Sequence, residues 1–212
     1  MQSDMNQLIL CGPSTWCKEW PFNGKEWSTF CFRIDIGDRH SVFVDVPLDV
    51  KTIEKPAYKK LRSVVEAKSG TYIMVNGILV EKPDPKNPGA TRLSIKAGLS
   101  GIGIISNGAI PINKVYVSGD VEIPQGAPQG AYTIKTSYRN VKTNSYAHRK
   151  VPVMAGSAGM PPAGEKALVA GRLMAKLPNG EEKIYVAAES MFSFETFRKQ
   201  WQTQKVEEPD FV

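Results

Sequence analysis

The sequence predicts an all-β chain with one or two short helices, built as two tandem copies of one strand plan. Three observations carry this prediction. The 212 residues include 18 Gly and 15 Pro, spread along the chain, which suits short strands joined by turns and excludes a long helical bundle or coiled coil. Several segments alternate apolar and polar residues with period two, the signature of half-buried strands. The order of elements in the first half recurs in the second.

The first strand candidate is Leu8 to Cys11, stopped by Gly12-Pro13. A loop is expected over Ser14 to Gly24, holding Trp16, Trp20 and Phe22. Along Trp27 to Ile36, the residues Phe30, Phe32, Ile34 and Ile36 alternate with Thr29, Cys31, Arg33 and Asp35. After a turn at Gly37-Asp38, Ser41 to Val46 points Val42, Val44 and Val46 inward and Phe43 and Asp45 outward. From Val50 to Ser69 the period changes: Leu61, Val64 and Val65 fall at i, i+3 and i+4, one turn after Tyr58, predicting a helix that ends at Ser69-Gly70. Strands resume at Thr71 to Val80 and Thr91 to Ala97, around a polar hairpin loop.

The Gly- and Ile-rich segment Gly98 to Pro111 reads as a domain junction. Beyond it, Lys114 to Val121, Ala131 to Arg139 and the short Val151 to Met154 read as strands. Lys166 to Leu177 and Glu182 to Glu189 read as a hairpin about Pro178-Asn179-Gly180. Val75 to Leu79 aligns with Val169 to Leu173, Arg92 to Ala97 with Lys183 to Ala188, and Leu10 with Val117. The offset shrinks along the repeat by about one short helix. Ala155 to Gly164 has no helical pattern, so the second copy is a repeat that has lost its helix. The expected domains are residues 1–105 and 106–192, followed by a C-terminal helix and acidic tip at 193–212.

The composition narrows the functional classes. Hydrophobic residues make up 42% and charged residues 23%, an ordinary globular balance. No apolar run approaches the roughly 18 residues of a membrane helix, and Met1 to Gln7 lacks the order of a signal peptide. Cys11, Cys17 and Cys31 are an odd set without a close C-x2-C pair. They read as reduced thiols in a cytosolic protein, with no metal site expected. The two histidines, His40 and His148, fall in different halves, and no nucleophile elbow or phosphate loop appears. Neither catalysis nor a cofactor is expected.

Strand, long strand, strand, helix and hairpin is the order of the OB fold, a five-stranded barrel. Met5 to Gly12, Phe30 to Ile34, Val42 to Val46, Lys68-Ser69-Gly70 and Thr71 to Leu79 together resemble the bacterial single-stranded DNA-binding protein family. The resemblance implies two tandem OB barrels, of the kind a phage- or plasmid-encoded member would carry. It implies binding of single-stranded DNA without sequence preference, in replication, recombination or repair. Two barrels per chain depart from the family's single barrel and long tail, and replace its homotetramer with an expected monomer or homodimer.

Such binding needs cations along the phosphates and flat rings under the bases, on the outer face of strands two and three and the adjoining loops. In the first half the candidates are Trp16, Trp20, Trp27, Arg33, Arg39 and Phe43. In the second, Lys135 to Lys150 carries Lys135, Arg139, Lys142, Arg149 and Lys150 with no acid, interleaved with Tyr138, Tyr146 and His148. That basic finger holds five of the net six positive charges, which points to a polyanion. At the C-terminus, Phe194, Phe197 and Trp201 suit an amphipathic helix capped by Ser193. Glu207, Glu208, Asp210 and Phe211 resemble the acidic tip with which the family recruits replication and repair proteins. Two other readings stay open: a replication-accessory or RNA-binding OB protein, and a β-barrel interaction module that binds no nucleic acid.

Overall fold

Alternating apolar residues build eleven strands in the computed structural model, which describes residues 4–20, 27–37, 40–83, 88–89, 91–105, 109–140, 143–176, 182–196 and 198. In the first half these are β1 (Asn6–Trp20), β2 (Trp27–Gly37), β3 (His40–Asp49), β4 (Tyr72–Pro83), β5 (Thr91–Lys96) and β6 (Ile102–Ile105). β1 pairs with β2 and β4, β2 with β3, β3 with β5 in parallel, and β5 with β4. That closed circuit is a five-stranded OB barrel. Its interior is filled by Leu8, Leu10, Phe30, Phe32, Ile34, Val42, Val44, Ile73, Val75, Leu79 and Ile95, all essentially without solvent exposure.

The expected loop over residues 14–20 is instead the second half of β1. Leu8 to Pro13 pair with β4, and Ser14 to Trp20 pair with β2, with a register shift between Ser14 and Trp16. Gly12-Pro13 is therefore the corner at which the strand changes partners, not its end. A side chain at Gly12 has no room, since a Cβ there would lie 2.0 Å from the Asp35 carbonyl oxygen. The predicted helix over residues 50–69 is divided into α1 (Val50–Ile53) and α2 (Pro56–Glu66). Pro56 lacks the amide hydrogen that would continue α1, and it stands in the first turn of α2, where that loss costs nothing. Tyr58, Leu61 and Val65 form the buried stripe of α2. The Gly- and Ile-rich segment after β5 is not a bare junction: a short turn leads into β6, which pairs with β4 from Tyr72 opposite Ile105 to Val75 opposite Ile102.

The second half supplies β7 (Ile112–Glu122), β8 (Ala131–Asn140), β9 (Ser145–Met154), β10 (Lys166–Lys176) and β11 (Glu182–Ser193). Their neighbours run β10, β11, β9, β8, β7, with β10 also pairing β7. The circuit is the same as that of the first half, and only a 3-10 turn at Gly156–Ala158 stands between β9 and β10. β9 begins at Ser145, well before the short strand expected from Val151, because Ser145 to Lys150 pair with β8 through Asn140. By contact density one compact unit comprises Asn6–Val115 and Arg172–Val186; the other comprises Met1–Met5, Tyr116–Gly171 and Ala187–Val212.

Two side-chain clamps recur in the repeat. Asn6 donates from Nδ2 to the Leu79 carbonyl (2.9 Å) and accepts the Leu79 N–H at Oδ1 (3.0 Å). Asn113 does the same to Leu173, at 3.0 and 2.8 Å. In each case the amide side chain acts as a peptide group where the first strand of the barrel leaves the sheet.

Candidate nucleic-acid interface

Three neighbouring strands, β1, β2 and β3, place alternate side chains outside the first barrel. Across them the register sets Trp16 opposite Arg33 and Arg33 opposite Phe43. Trp16 and Phe43 meet edge to face, with ring centroids 5.5 Å apart, while remaining 36% and 43% exposed. Arg33 is also exposed and donates from Nε to the Ser41 hydroxyl. Trp27, at the start of β2, is 52% exposed. Large rings left this open on a strand face are costly in water unless they bind something. Trp16 belongs to this row because β1 continues as a strand where the sequence suggested a loop.

The next row sets Lys18 opposite Cys31 and Cys31 opposite Asp45. Although their parity is outward, Cys31 and Asp45 are nearly covered. Asp45 Oδ2 accepts from the Ser94 hydroxyl at 2.7 Å and is held by the Lys82 ammonium. Burial, followed by the Asp45 charge and its hydrogen bond, pushes the Cys31 thiol up to about 12. The acid at the centre of this face is thus neutralised by its own partner.

Beyond it, Trp20 lies opposite Thr29 in register; its side chain lies outside the described residues. The adjoining Glu19 is fixed by the Tyr58 hydroxyl (2.8 Å) and by Arg62 (3.0 Å), so α2 pins the end of β1. Burial and then the bond to Glu19 raise the Tyr58 phenol. Phe22, Arg39 and Lys142 lie outside the described residues.

In the second half the stretch Lys135 to Lys150 is a β8–β9 hairpin. Lys135 stands opposite Lys150, Ser137 opposite His148, and Arg139 opposite Tyr146, so these six share one face. Ser137 Oγ and His148 Nδ1 are 3.1 Å apart, and Arg139 donates to Asn144 at 2.6 Å. Arg149 lies on the opposite face, its guanidinium 3.8 Å from the Tyr138 ring centroid, a cation–π contact.

The finger contains no acid of its own, but β7 brings one to it. Glu122 stands opposite Thr133, one alternate residue from Lys135, and Asp120 stands opposite Lys135. Glu122 takes Lys150 at 2.8 Å on one oxygen and Lys135 at 3.7 Å on the other. The hydrogen bond from Lys150, with the charges of both lysines, holds its carboxyl below the usual range. A signal for this lies in the order of residues: Glu122 follows directly on the strand predicted to end at Val121, at the parity of the outer face.

The root of the hairpin is also tied to the chain's start. Asp4 donates its N–H to the Ser137 carbonyl (2.9 Å), accepts the Ser137 N–H at Oδ2 (2.7 Å) and pairs with Lys166 at 2.6 Å. At the other end of the chain, Ser193 Oγ accepts the Thr196 N–H, an N-cap bond at the start of helical residues 194–196. Phe197, Trp201, Glu207, Glu208, Asp210 and Phe211 lie outside the described residues. Cys11, Cys17 and Cys31 are free thiols, and no group of three or more His, Cys, Asp or Glu is arranged to hold a metal among the described residues. No described helix is long and apolar enough to cross a membrane.

No protein-family model and no curated protein matches the chain. Among solved structures it is similar to a deletion and substitution variant of the single-stranded DNA-binding protein from Thermus aquaticus. The TM-score is 0.60 at 15% identity, covering 91% of this chain and 96% of that one. The wild-type Thermus aquaticus protein gives 0.57 at 15% identity, covering 91% and 94%. The chain therefore carries, over nearly its whole length, the fold of those single-stranded DNA-binding proteins.

Proposed function

We propose that this chain is a sequence-tolerant single-stranded DNA-binding protein that acts by binding rather than by catalysis. The observation that carries the reading is the Trp16–Arg33–Phe43 row on the outer face of an OB barrel. Exposed rings on either side of a cation are what successive bases and their phosphates require, and a ring face stacks on any base. The likeness in fold to the Thermus aquaticus proteins supports the same reading. Trp27 extends the stacking surface; Lys135, Arg139, Tyr146, His148 and Lys150, on one face of the β8–β9 hairpin, form a second, electrostatic patch, and Arg149 adds a cation on the other face. Trp20, Arg39 and Lys142 join the proposal from the sequence alone. So does the recruiting role of Glu207, Glu208, Asp210 and Phe211 in replication, recombination or repair, in the cytoplasm, by a monomer or homodimer.

Titration of labelled oligo(dT) at low salt tests the reading, with intrinsic tryptophan fluorescence as a second signal. Tight binding, quenching and loss of affinity at high salt are expected. Trp27→Ala and Phe43→Ala should each weaken binding by about 1–3 kcal/mol if a base stacks there, with the melting temperature nearly unchanged. Absence of binding at low salt refutes the reading. Tighter binding to a matched RNA would favour the RNA-binding alternative.

A further inference from the structure

The repeat allows the two barrels to be compared residue by residue. Besides the paired Asn clamps, each barrel has glycines crowded by the same neighbours. Gly12 faces the Asp35 carbonyl and Gly119 the Lys135 carbonyl; Gly77 faces the Lys96 carbonyl and Gly171 the Ala187 carbonyl. These contacts equate Asp35 with Lys135, and so Arg33 with Thr133. The cross-strand registers then equate Phe43 with Pro152, and Ser41 with Lys150. Opposite Arg33 stands Trp16; opposite Thr133 stands Glu122. The aromatic–cation–aromatic row of the first barrel corresponds to Glu122–Thr133–Pro152 in the second, without an aromatic ring or a cation.

Glu122 is not idle there. Its two carboxylate oxygens each meet one of two lysines that face each other across β8 and β9. A phosphate between the two ammonium groups would make the same two contacts. All three side chains are about one-third or more exposed, so the pair is of the weak, solvent-screened kind that a stronger anion opens.

We propose that Glu122 is an internal competitor for the nucleic-acid backbone, occupying the lysine pair Lys135–Lys150 in place of a phosphate and so attenuating binding by the second barrel. This rests on the single-strand reading above. It assigns the two barrels different work: stacking on the first, and on the second an electrostatic contact that its own carboxylate holds down.

The test is Glu122→Gln, which keeps the shape and removes the charge. Oligo(dT) affinity is measured over a series of salt concentrations for wild type, E122Q, K150Q and the double variant E122Q/K150Q, with melting temperatures in parallel. The proposal expects E122Q to bind several-fold tighter at low salt. The slope of log K against log salt should steepen by about 0.7 for each lysine released to a phosphate. It expects K150Q to cancel part of that gain in the E122Q background. If E122Q keeps its melting temperature and binds no tighter than wild type, the proposal is wrong while the single-strand reading stands. If E122Q melts early, the titrations are run at a temperature at which it is folded; tighter binding with a steeper slope there supports the proposal, and binding no tighter than wild type overturns it. If wild type does not bind oligo(dT), the reading and the proposal fall together.

Discussion

Replacing Asn6 by Ala removes a side chain that satisfies both backbone groups of Leu79. The bonds are 2.9 and 3.0 Å long, and Leu79 is fully buried. Each buried peptide group left without a partner costs about 1–3 kcal/mol. Asn6 itself is only part-buried, so water reaches the site and offsets some of that cost. The expected loss is therefore about 2–3 kcal/mol. Asn113→Ala should lose a similar amount, because its bonds to Leu173 are 3.0 and 2.8 Å. Gln7→Ala is the matched control: its amide reaches only the exposed Asn76 side chain, at 3.4 Å, and should change stability by less than about 0.5 kcal/mol. Urea denaturation followed by circular dichroism gives the midpoints and slopes. Asn6→Asp separates the two bonds, since a carboxylate still accepts the Leu79 N–H but sets a second acceptor against the Leu79 carbonyl. If Asn6→Ala costs no more than Gln7→Ala, the two bonds to Leu79 do not stabilise the fold.

Two further outcomes follow from buried groups. Asp4→Ala should cost about 2–3 kcal/mol, because a carboxylate only 4% exposed loses both the Ser137 N–H and Lys166; unchanged hydrogen-exchange protection of the Ser137 amide would contradict this. Stability should also fall as pH rises above about 9. The Cys31 thiol ionises at its ordinary 9.0 in the unfolded chain and only near 12 in the fold, so the unfolded state binds fewer protons across that window. The loss is about 1.4 kcal/mol per pH unit. Cys31→Ser should flatten this part of the profile, and an unchanged alkaline slope would show that the thiol is not the cause.

The sequence made legible what period two controls. The inward set of β2 and β3 and the outward Arg33 and Phe43 follow from alternation alone, and Trp27 stands open at the end of the same strand. The repeat was legible too, and its offset already carries Asn6 onto Asn113. What alternation does not report is which strand lies alongside. Gly12-Pro13 reads as a stop because both residues break regular structure locally; in the fold they mark the corner where β1 exchanges β4 for β2. Trp16 therefore reads as a loop residue, although β1 places it in the aromatic row. Ile102 to Ile105 had no polar alternation to mark it as a strand, yet β4 supplies it a partner. The basic finger read as free of acids because Glu122 is distant in sequence from Lys150 and joins it only through the pairing of β7, β8 and β9.

The two barrels diverge where divergence is cheap. Closing a five-stranded circuit demands glycine wherever one backbone crosses close to another, and Gly12, Gly77, Gly119 and Gly171 each have a carbonyl oxygen within 2.8 Å of where a Cβ would stand. A substitution at any of these must move backbone, so both copies keep them. The exposed outer row carries no such constraint, because Trp16 and Glu122 are not pressed against a neighbouring backbone. Trp16 and Glu122 occupy equivalent outer positions, and either residue is compatible with the same barrel. Retained glycines and clamps beside an exchanged outer row mean that the fold no longer dictates what each barrel binds. Function in this chain therefore has to be tested barrel by barrel, and Glu122, which stands where the first barrel has Trp16, is the residue to test in the second.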